Sequence, residues 1–353
     1  MRTLQPRPRY WIGRNLLGSL ALAVVLLVAG LGITISGDTV TIRLVNNFFI
    51  TLLMVLGHQI FTGNSGIVSF GHIAFMAIGA YASALLTISP AIKGSALNQL
   101  PDMIAASQLG FVPALLLALV VVGIVAMLVG IPLVRLSGSA GAIATFAFLV
   151  IVNVVLSGWT GITGGRRALY GVPIYTGLGW TIGLAVTGLV ITRIVRDSRA
   201  GLQLRASRED EVAARAMGVV VERVRLIAWM ISALFVGAGG VLYAHFVGAF
   251  SPQQFYLVET INVLAMLIIG GMTTTSGAVV GAIVITIVFE ILRSVESWAA
   301  GISALPDLFG IAQVFIGFTL LFVMYFRPEG LLGRWELDEI VVRKFFRHGD
   351  LTE

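Results

Sequence analysis

Apolar stretches long enough to cross a membrane alternate with short polar loops along almost the whole chain. The ~30 Å hydrocarbon core of a bilayer needs about 20 mostly apolar residues in a helix. Ten stretches of roughly this kind are present, at about 16–36, 44–61, 67–88, 111–133, 140–157, 175–195, 226–248, 258–271, 276–296 and 309–326. The pattern predicts an all-α polytopic membrane protein with about ten transmembrane helices.

Glycine interrupts two of these spans. The third is broken by Gly66, Gly71 and Gly79, and the eighth is short and ends at Gly270 and Gly271. Breaks within the bilayer are tolerated where neighbouring helices or a cavity satisfy the freed backbone groups. Transporters often build their pathway from such helices. We therefore expect broken, Gly-rich helices at both places.

Composition supports a membrane protein and excludes other classes. Hydrophobic residues make up 58% of the chain and charged residues 11%, with a mean hydropathy of +0.97, whereas soluble domains carry about 25% charged residues. The net charge of +6 could suggest nucleic acid as a partner. The arginines instead lie in short loops and tails, as the positive-inside rule requires, so we expect no nucleic-acid binding. The absence of cysteine excludes disulfides and thiolate metal sites.

The basic segments predict the orientation. The N-terminal tail, the loop at 196–225 and the tail at 327–353 are rich in arginine, so all three belong in the cytoplasm. Two termini on one side require an even number of spans, which ten satisfies. We expect one transmembrane domain over residues 1–353.

The N-terminal arginines could also belong to a signal peptide. The apolar run that follows them is longer than the core of a signal peptide, and no clear cleavage site of small residues follows it. We therefore expect an uncleaved first transmembrane helix.

Two arginines disagree with this orientation. Arg166 and Arg167 follow the fifth span, which places them outside the cell. They are either ordinary loop charges or contacts for a solute-binding protein that docks outside. Docking is favoured because the pair breaks the charge rule.

Charge concentrates in one internal segment. Residues 193–225 carry 13 of the 40 charged residues. Within it, Ser207 and Asp210 have the form of a capping box, in which a hydroxyl accepts from the first N–H groups of a helix and an acid follows three residues later. Glu211 and Arg215 form an i, i+4 pair in the favourable orientation. We expect an amphipathic helix of about three turns outside the membrane.

The apolar face of this helix indicates its partner. Gly218 predicts the end of the helix, and small apolar residues share one face, namely Val212, Ala216, Val219 and Val220. A helix lying on lipid usually carries bulky Leu, Phe or Trp on that face. Small residues suit a groove in a protein, so a protein partner is favoured over the lipid surface.

Polar residues inside the spans are few, and each has a structural alternative. Glu290 is a functional candidate because it is ionisable, but Arg293 at i+3 could neutralise it locally. His72 either lines a pathway or makes a hydrogen bond between packed helices. Asn46 and Asn47 open the second span and are expected to hydrogen-bond across helices.

Sites for nucleotide chemistry and hydrolysis are missing from the sequence. The two lysines, Lys93 and Lys344, do not follow glycine, so there is no G-x-x-x-x-G-K-[ST] loop. The histidines have no H-E-x-x-H spacing, and no G-x-S-x-G motif occurs. We expect no enzyme and no cofactor in this chain, so any ATP would be used by another polypeptide.

Several segments together resemble one family. The run Arg205–Gly218 resembles the EAA-type coupling segment of ATP-binding cassette (ABC) importer permeases, in the version of branched-chain amino acid permeases of the LivM type. Gly63–Tyr81, Leu226–Tyr243 with Ser251 and Pro252, and the segment from Gly270 to Ala282 are similar to other segments of that family, in the same order.

The resemblance implies roles for particular residues. It assigns coupling to the ATPase to Ser207, Glu211, Ala213, Ala214, Arg215 and Gly218. It assigns the broken helices of a pathway to Gly66, Ser69, Gly71, His72, Phe75, Gly270 and Gly271.

The resemblance also implies partners: a LivH-like second permease, two LivG/LivF-like ATPases, a periplasmic solute-binding protein and the lipid of the bacterial inner membrane.

The chain departs from the family pattern at two places, which affects the expected solute. The outer loop reads Arg166-Arg167 where a small or acidic pair is common, and Thr273 to Thr275 follow Gly271 where glycine is usual. Branched-chain amino acids remain the expected solutes, with urea, short amides or aromatic acids as alternatives. An ion-coupled secondary transporter would need acidic residues in mid-span, for which Glu290 is marginal, and a membrane-bound enzyme lacks a catalytic constellation.

Overall fold

The computed structural model describes residues 37–300, 310–327, 329–333 and 336–337, together with 18, 21–28 and 30–32. Within these residues the chain is helical and forms no strand beyond one isolated antiparallel bridge between Leu169 and Phe250. The all-α class is therefore confirmed.

The described residues of the first half of the chain form eight α-helices and one π-helical turn. In order they are α1 (Ala21–Gly32), α2 (Thr39–His58), the π-turn (Gln59–Gly63), α3 (His72–Thr87), α4 (Pro90–Ala96), α5 (Asp102–Ala105), α6 (Phe111–Leu133), α7 (Gly138–Gly158) and α8 (Thr160–Thr163).

In the second half, the residues that the structure describes form seven α-helices and a short 3₁₀ helix. These are α9 (Leu178–Asp197), α10 (Arg199–Glu209), α11 (Glu211–Ala216), α12 (Val221–Val247), the 3₁₀ helix (Pro252–Phe255), α13 (Leu257–Gly270), α14 (Thr275–Ala300) and α15 (Ile311–Phe326).

The number of spans differs from the prediction. Seven helical segments in the described part of the chain are long and apolar enough to cross a membrane, or eight if α3 and α4, bent by 116° to each other, form one span. Every predicted stretch falls on a helix, but α1 and the apolar part of α15 (Gln313–Phe326) are shorter than a full span. The count of about ten is therefore not confirmed.

The third predicted span begins later than the pattern indicated. Its helix starts at His72 rather than at residue 67. Gly66 adopts a positive φ of 74°, which an α-helix excludes. The residues after it are irregular, and the N–H of Phe70 bonds the hydroxyl of Thr145, 3.1 Å away. The predicted break is confirmed, and the helix boundary moves by five residues.

The loops gather at two ends of the bundle. The basic end contains the loops at 64–71, 134–137, 198–220 and 271–274 and the described residues 327, 329–333 and 336–337. Arg208 bonds the carbonyl of Gly63 there, and Leu331 bonds Ile269. The opposite end contains the loops at 88–110, 159–177 and 248–256, where Leu169 pairs with Phe250. The 27 residues of α12 separate these ends by about 40 Å.

Helix α12 forms the centre of the bundle and packs against α2, α3 and α6. The indole N–H of Trp229 donates to the carbonyl of Ala126 at 3.0 Å, and the hydroxyl of Ser232 donates to that of Gly57 at 2.6 Å. A Cβ on Gly240 would overlap the carbonyl oxygen of Met76. Small residues let the backbones approach this closely, and interhelical hydrogen bonds hold them.

We predict that Gly240→Ala destabilises the bundle by about 1–3 kcal/mol, because α3 and α12 must separate to admit the methyl group. Gly183→Ala is the control, since a Cβ at that helical position meets nothing within 4 Å and alanine favours helix. Thermal unfolding of both variants in detergent checks this. Equal midpoints for the two variants would contradict it.

Candidate functional site

The loop at 198–220 folds as two short capped helices. The hydroxyl of Ser198 accepts the N–H of Gly201 at 3.1 Å and caps α10, and the carboxylate of Asp210 accepts the N–H of Ala213 at 3.0 Å and caps α11. The backbone of Asp210 is extended, with φ −152°, which ends α10 and lets α11 start in a new direction. An acidic side chain at this position also suits the positive end of the helix dipole.

The predicted capping role of Ser207 is wrong. Ser207 lies inside α10 and is buried, and its hydroxyl donates to the carbonyl of Leu204 at 2.7 Å. The helix that contains it starts upstream at the Ser198 cap and continues through position 207, so no free N–H groups are within reach of the Ser207 hydroxyl. The predicted helix of about three turns is divided at Asp210 for the same reason.

The predicted end of the segment at Gly218 is confirmed. Gly218 has a positive φ of 83°. Its N–H bonds the carbonyl of Arg215 at 3.0 Å, and the N–H of Val219 bonds that of Ala214 at 3.1 Å. This is the hydrogen-bond pattern of a Schellman motif, for which glycine is the usual residue.

Four charged side chains attach α11 to the start of α12. The predicted pair of Glu211 and Arg215 is present at 2.9 Å. Glu211 also contacts Arg225 at 2.7 Å, and Arg215 contacts Glu222 at 2.6 Å. Exposed ion pairs contribute little stability, but the Arg225 side chain is only 4% exposed. Glu211 therefore orients α11 on the bundle rather than facing solvent alone.

These contacts keep Glu211 ionised. Hydrogen bonds from Arg215 and then from Arg225 lower the pKa of its carboxyl below the ordinary value. A carboxyl with a lowered pKa in the folded state stabilises that state above its unfolded pKa, and the contribution is lost as the pH falls through the folded pKa. The attachment of α11 is thus complete at neutral pH.

One side of α11 and of the residues that follow it carries apolar groups that no described part of the chain covers. We call the exposed residues Val212, Ala213, Ala216, Met217 and Val220 the exposed patch. Val212 is 79% exposed and Met217 is 86% exposed. Ala214, grouped with the coupling residues by resemblance, is buried and packs inward, so Ala213 and Ala214 point to different surroundings.

The predicted residues of the first broken helix form a packed cluster. His72 is fully buried, and its Nδ1 lies 2.6 Å from the hydroxyl of Ser69. The His72 ring lies 4.8 Å from the Trp229 ring and 4.5 Å from the His58 ring, measured between centroids, and Phe75 also packs on Trp229. This geometry supports the packing alternative for His72. A pathway role for these residues stays a prediction.

Two glycines of this segment allow close approaches. A Cβ on Gly71 would lie 2.6 Å from the carbonyl oxygen of Thr145, and one on Gly66 would lie 2.7 Å from the side chain of Arg208. The space at Gly66 admits Arg208, whose guanidinium donates to the carbonyl of Gly63 at 2.8 Å. Helix α10 is thereby joined to the first broken helix.

The second predicted break lies between α13 and α14, as expected. Gly271 has a φ of 120°, and a Cβ on Gly270 would overlap the carbonyl oxygen of Gly277. The two helices therefore cross in backbone contact directly after the turn.

Sequence reasoning missed a charged cluster beside this turn. Arg193 and Arg196, in the last turns of α9, both contact the buried carboxylate of Glu336. An arginine near the end of a span is interpreted from sequence as a cytoplasmic loop charge. Its partner Glu336 lies 140 residues after Arg196, in a segment without hydrophobic periodicity. No sequence signal linked them.

At the opposite end, Arg166 and Arg167 lie on a fixed loop. The hydroxyl of Thr163 donates to the carbonyl of Leu156 at 2.6 Å, and Leu169 pairs with Phe250. Both arginines are exposed and line a cavity of about 650 Å³ with Ser95, Ser157, Thr160 and Tyr170. The loop presents two cations together at one mouth of the bundle.

Two further polar residues noted in the sequence have partners in the structure. Glu290 contacts Arg293 at 3.4 Å, which confirms the local ion pair. The side chain of Asn46 accepts the hydroxyl of Thr181 at 2.9 Å, which confirms a bond across helices. Among the described residues, no group of three His, Asp or Glu could hold a metal ion.

Comparison with known proteins agrees with this arrangement. The family described as "Branched-chain amino acid transport system / permease component" matches residues 40–324, so the chain belongs to that family of membrane permeases. It is 29% identical over 345 residues to the high-affinity branched-chain amino acid transport system permease protein LivM of Escherichia coli K12, covering 88% of this chain and 73% of that protein.

Further relatives include both permease types. The LivM protein of Salmonella typhimurium is 30% identical over 318 residues, covering 80% of this chain and 68% of that protein. The LivH protein of Salmonella typhimurium is 22% identical over 312 residues, covering 82% and 92%. No solved structure matches the chain.

We predict that Asp210→Ala loosens α11, because the N–H of Ala213 loses its acceptor. Loss of such a cap costs about 0.5–2 kcal/mol, so the amides of residues 211–217 should exchange with solvent several-fold faster. Glu209→Ala is the control, since this exposed neighbour ends α10 and caps nothing. Hydrogen exchange measured by mass spectrometry checks it, and unchanged protection in Asp210→Ala would disprove the cap.

Proposed function

We propose that this chain is a permease subunit of a bacterial ABC importer for branched-chain amino acids, located in the inner membrane with both termini in the cytoplasm. Membership of the family over residues 40–324 supports this. The observation that carries the coupling role is the exposed patch on α11. It is apolar and held in a fixed orientation by the contact between Glu211 and Arg225.

The exposed patch suits an ATPase subunit. An exposed apolar patch surrounded by charged residues is typical of a site that another protein covers. Its small side chains leave a shallow surface that a cleft can enclose. In this proposal two LivG/LivF-like ATPases bind and hydrolyse ATP, and this chain contributes no cofactor of its own.

A second permease completes the pathway. Both LivM and LivH proteins are similar to this chain, so two homologous subunits of one system, this one LivM-like and its partner LivH-like, can enclose a solute between them. Closure of the ATPases would displace α11 on both subunits. Through Glu211 and Arg208 that displacement would reach α12 and the first broken helix.

The solute is a small zwitterion in this proposal. The described helices contain few ionisable groups, and Glu290 is paired with Arg293, so selection falls mainly to a solute-binding protein outside. Urea, short amides or aromatic acids would suit the same architecture. Competition with leucine uptake separates these solutes.

An ion-coupled secondary transporter is the weaker candidate. It needs a buried acidic residue free to bind a proton or sodium ion. Glu290 lies on a helix face open to its surroundings, beside its own arginine. Such a carrier would also have no use for the exposed patch.

Affinity purification of the tagged chain with its partner subunits tests the proposal. We predict recovery of a P-loop ATPase and a second permease with the wild-type chain. Met217→Asp should reduce the recovered ATPase about tenfold, equivalent to 1.4 kcal/mol, because a carboxylate would be desolvated in the docking cleft. Met103→Asp is the matched control, since Met103 is 89% exposed at the opposite end.

The outcomes discriminate between the candidates. If Met217→Asp loses the ATPase but keeps the second permease, and Met103→Asp keeps both, the ATPase docks through the exposed patch. A wild-type chain that purifies alone and moves leucine on an ion gradient would overturn the ABC importer.

Arg166 and Arg167 form our proposed contact for the solute-binding protein. Both guanidinium groups are exposed on a fixed loop at the opposite end, and acidic groups on a partner would complement them. We predict that Arg166→Glu with Arg167→Glu weakens stimulation of ATP hydrolysis by the binding protein, about tenfold or more in its half-maximal concentration.

Arg166→Lys with Arg167→Lys is the control, because it keeps both charges and should retain most of the stimulation. ATPase activity of the reconstituted complex, titrated with binding protein, measures the effect. Unchanged stimulation in the glutamate variant would show that the two residues are ordinary loop charges.

A further inference from the structure

The segment after α15 folds back onto the break between α13 and α14. The N–H of Leu331 bonds the carbonyl of Ile269 at 2.8 Å, and the N–H of Leu332 bonds that of Gly270 at 3.2 Å. The hydroxyl of Thr273 donates to the carbonyl of Gly333 at 3.3 Å. Carbonyls at a helix end lack partners within the helix, and this segment supplies them.

Glu336 in the same segment joins two helix ends. One carboxylate oxygen contacts Arg193 at 2.8 Å and Arg196 at 3.0 Å, and also accepts the N–H of Thr275 at 2.8 Å. The other accepts the N–H and the hydroxyl of Ser276, at 2.9 and 2.6 Å. The side chain is fully buried. A single carboxylate thus holds the C-terminal arginines of α9 and the N-terminus of α14.

The arrangement favours the charged form of each group. The N-terminus of α14 attracts an anion, and the C-terminus of α9 attracts cations. Burial raises the pKa of Glu336, but the charges of Arg196 and Arg193 and the bonds from Ser276 outweigh it, so the pKa lies below the ordinary value. The cluster is therefore ionised at neutral pH. A second carboxylate, that of Asp197, contacts Arg193 at 3.1 Å and Arg196 at 3.6 Å, so both arginines keep an anionic partner when Glu336 loses its charge.

Helix α9 continues directly into the loop at 198–220, which we call the coupling loop. The guanidinium of Arg196 also donates to the carbonyl of Thr273 at 3.3 Å, within the break. The guanidinium of Arg205, on α10, donates to the carbonyl of Arg196 at 3.2 Å. The coupling loop, the end of α9 and the start of α14 therefore meet at one point.

We propose that Glu336 is a positioning residue that ties the coupling loop to the break between α13 and α14, so that movement of the loop displaces α14. This inference rests on the proposed function. Without the carboxylate, the loop could still bind its ATPase, but its displacement would no longer be passed to α14. ATP would be hydrolysed without a matching movement of solute.

The test uses the complete complex in proteoliposomes, with leucine as the solute. The binding protein is supplied on the side of the membrane opposite to the ATPases. Glu336→Gln keeps the shape of the side chain and removes its charge. We expect assembly and ATP hydrolysis to persist, while the leucine transported per ATP falls about fivefold, within the range of effects on coupling between sites. Asp102→Asn, at an exposed carboxyl of the opposite end, should leave that ratio unchanged.

The amount of leucine transported per ATP distinguishes a positioning role of Glu336 from a purely structural one. A wild-type ratio in Glu336→Gln, or a parallel fall of uptake and hydrolysis, would overturn the positioning role and leave only a structural one. A wild-type complex without ATP-driven leucine uptake would instead reject the proposed function.

If Glu336→Gln fails to assemble, Ser276→Ala takes its place, because it removes only one hydroxyl donor from the carboxylate. A reduced ratio with normal assembly supports the proposal, and a wild-type ratio overturns it.

Discussion

Buried backbone N–H and C=O groups need hydrogen-bond partners, and this constraint governs the places where the helices of this chain break. After α2, the guanidinium of Arg208 serves the carbonyl of Gly63. After α13, the N–H of Leu331 serves the end of one helix, and the carboxylate of Glu336 serves the first N–H groups of the next. Each break is closed by groups from a distant part of the sequence, so the breaks tie the chain together instead of weakening it.

The hydrogen bonds that satisfy both breaks lie at the basic end. They connect the loop at 198–220 and the end of α9 to the broken helices. Helix α10 touches the first break through Arg208, and α9 touches the second through Arg196. An ion pair between Glu211 and the buried Arg225 attaches α11 to α12. A force applied at α11 therefore acts on the central helix, while the neighbouring α10 is bonded to the first break and α9 to the second. The loop is thus part of the rigid framework.

The sequence predicted the helical class, the position of most helices and both breaks, because apolar length and glycine are local signals. It predicted the pair of Glu211 and Arg215 and the stop at Gly218 for the same reason. It misplaced the cap at Ser207, since an upstream cap at Ser198 extends the preceding helix through that position. It missed Glu336 entirely, because a contact between the tail and α9 leaves no periodic pattern in either segment.

Several buried polar side chains in the described part of the chain hold helices together. The hydroxyl of Ser232 bonds the carbonyl of Gly57, Asn46 bonds Thr181, and Trp229 bonds Ala126. Groups satisfied in this way are not available to select a solute, because a solute would have to replace bonds that fix the helix positions. In the function proposed above, selection is then a task for a partner outside the membrane, and this chain contributes a passage whose opening depends on how the two breaks move with the coupling loop.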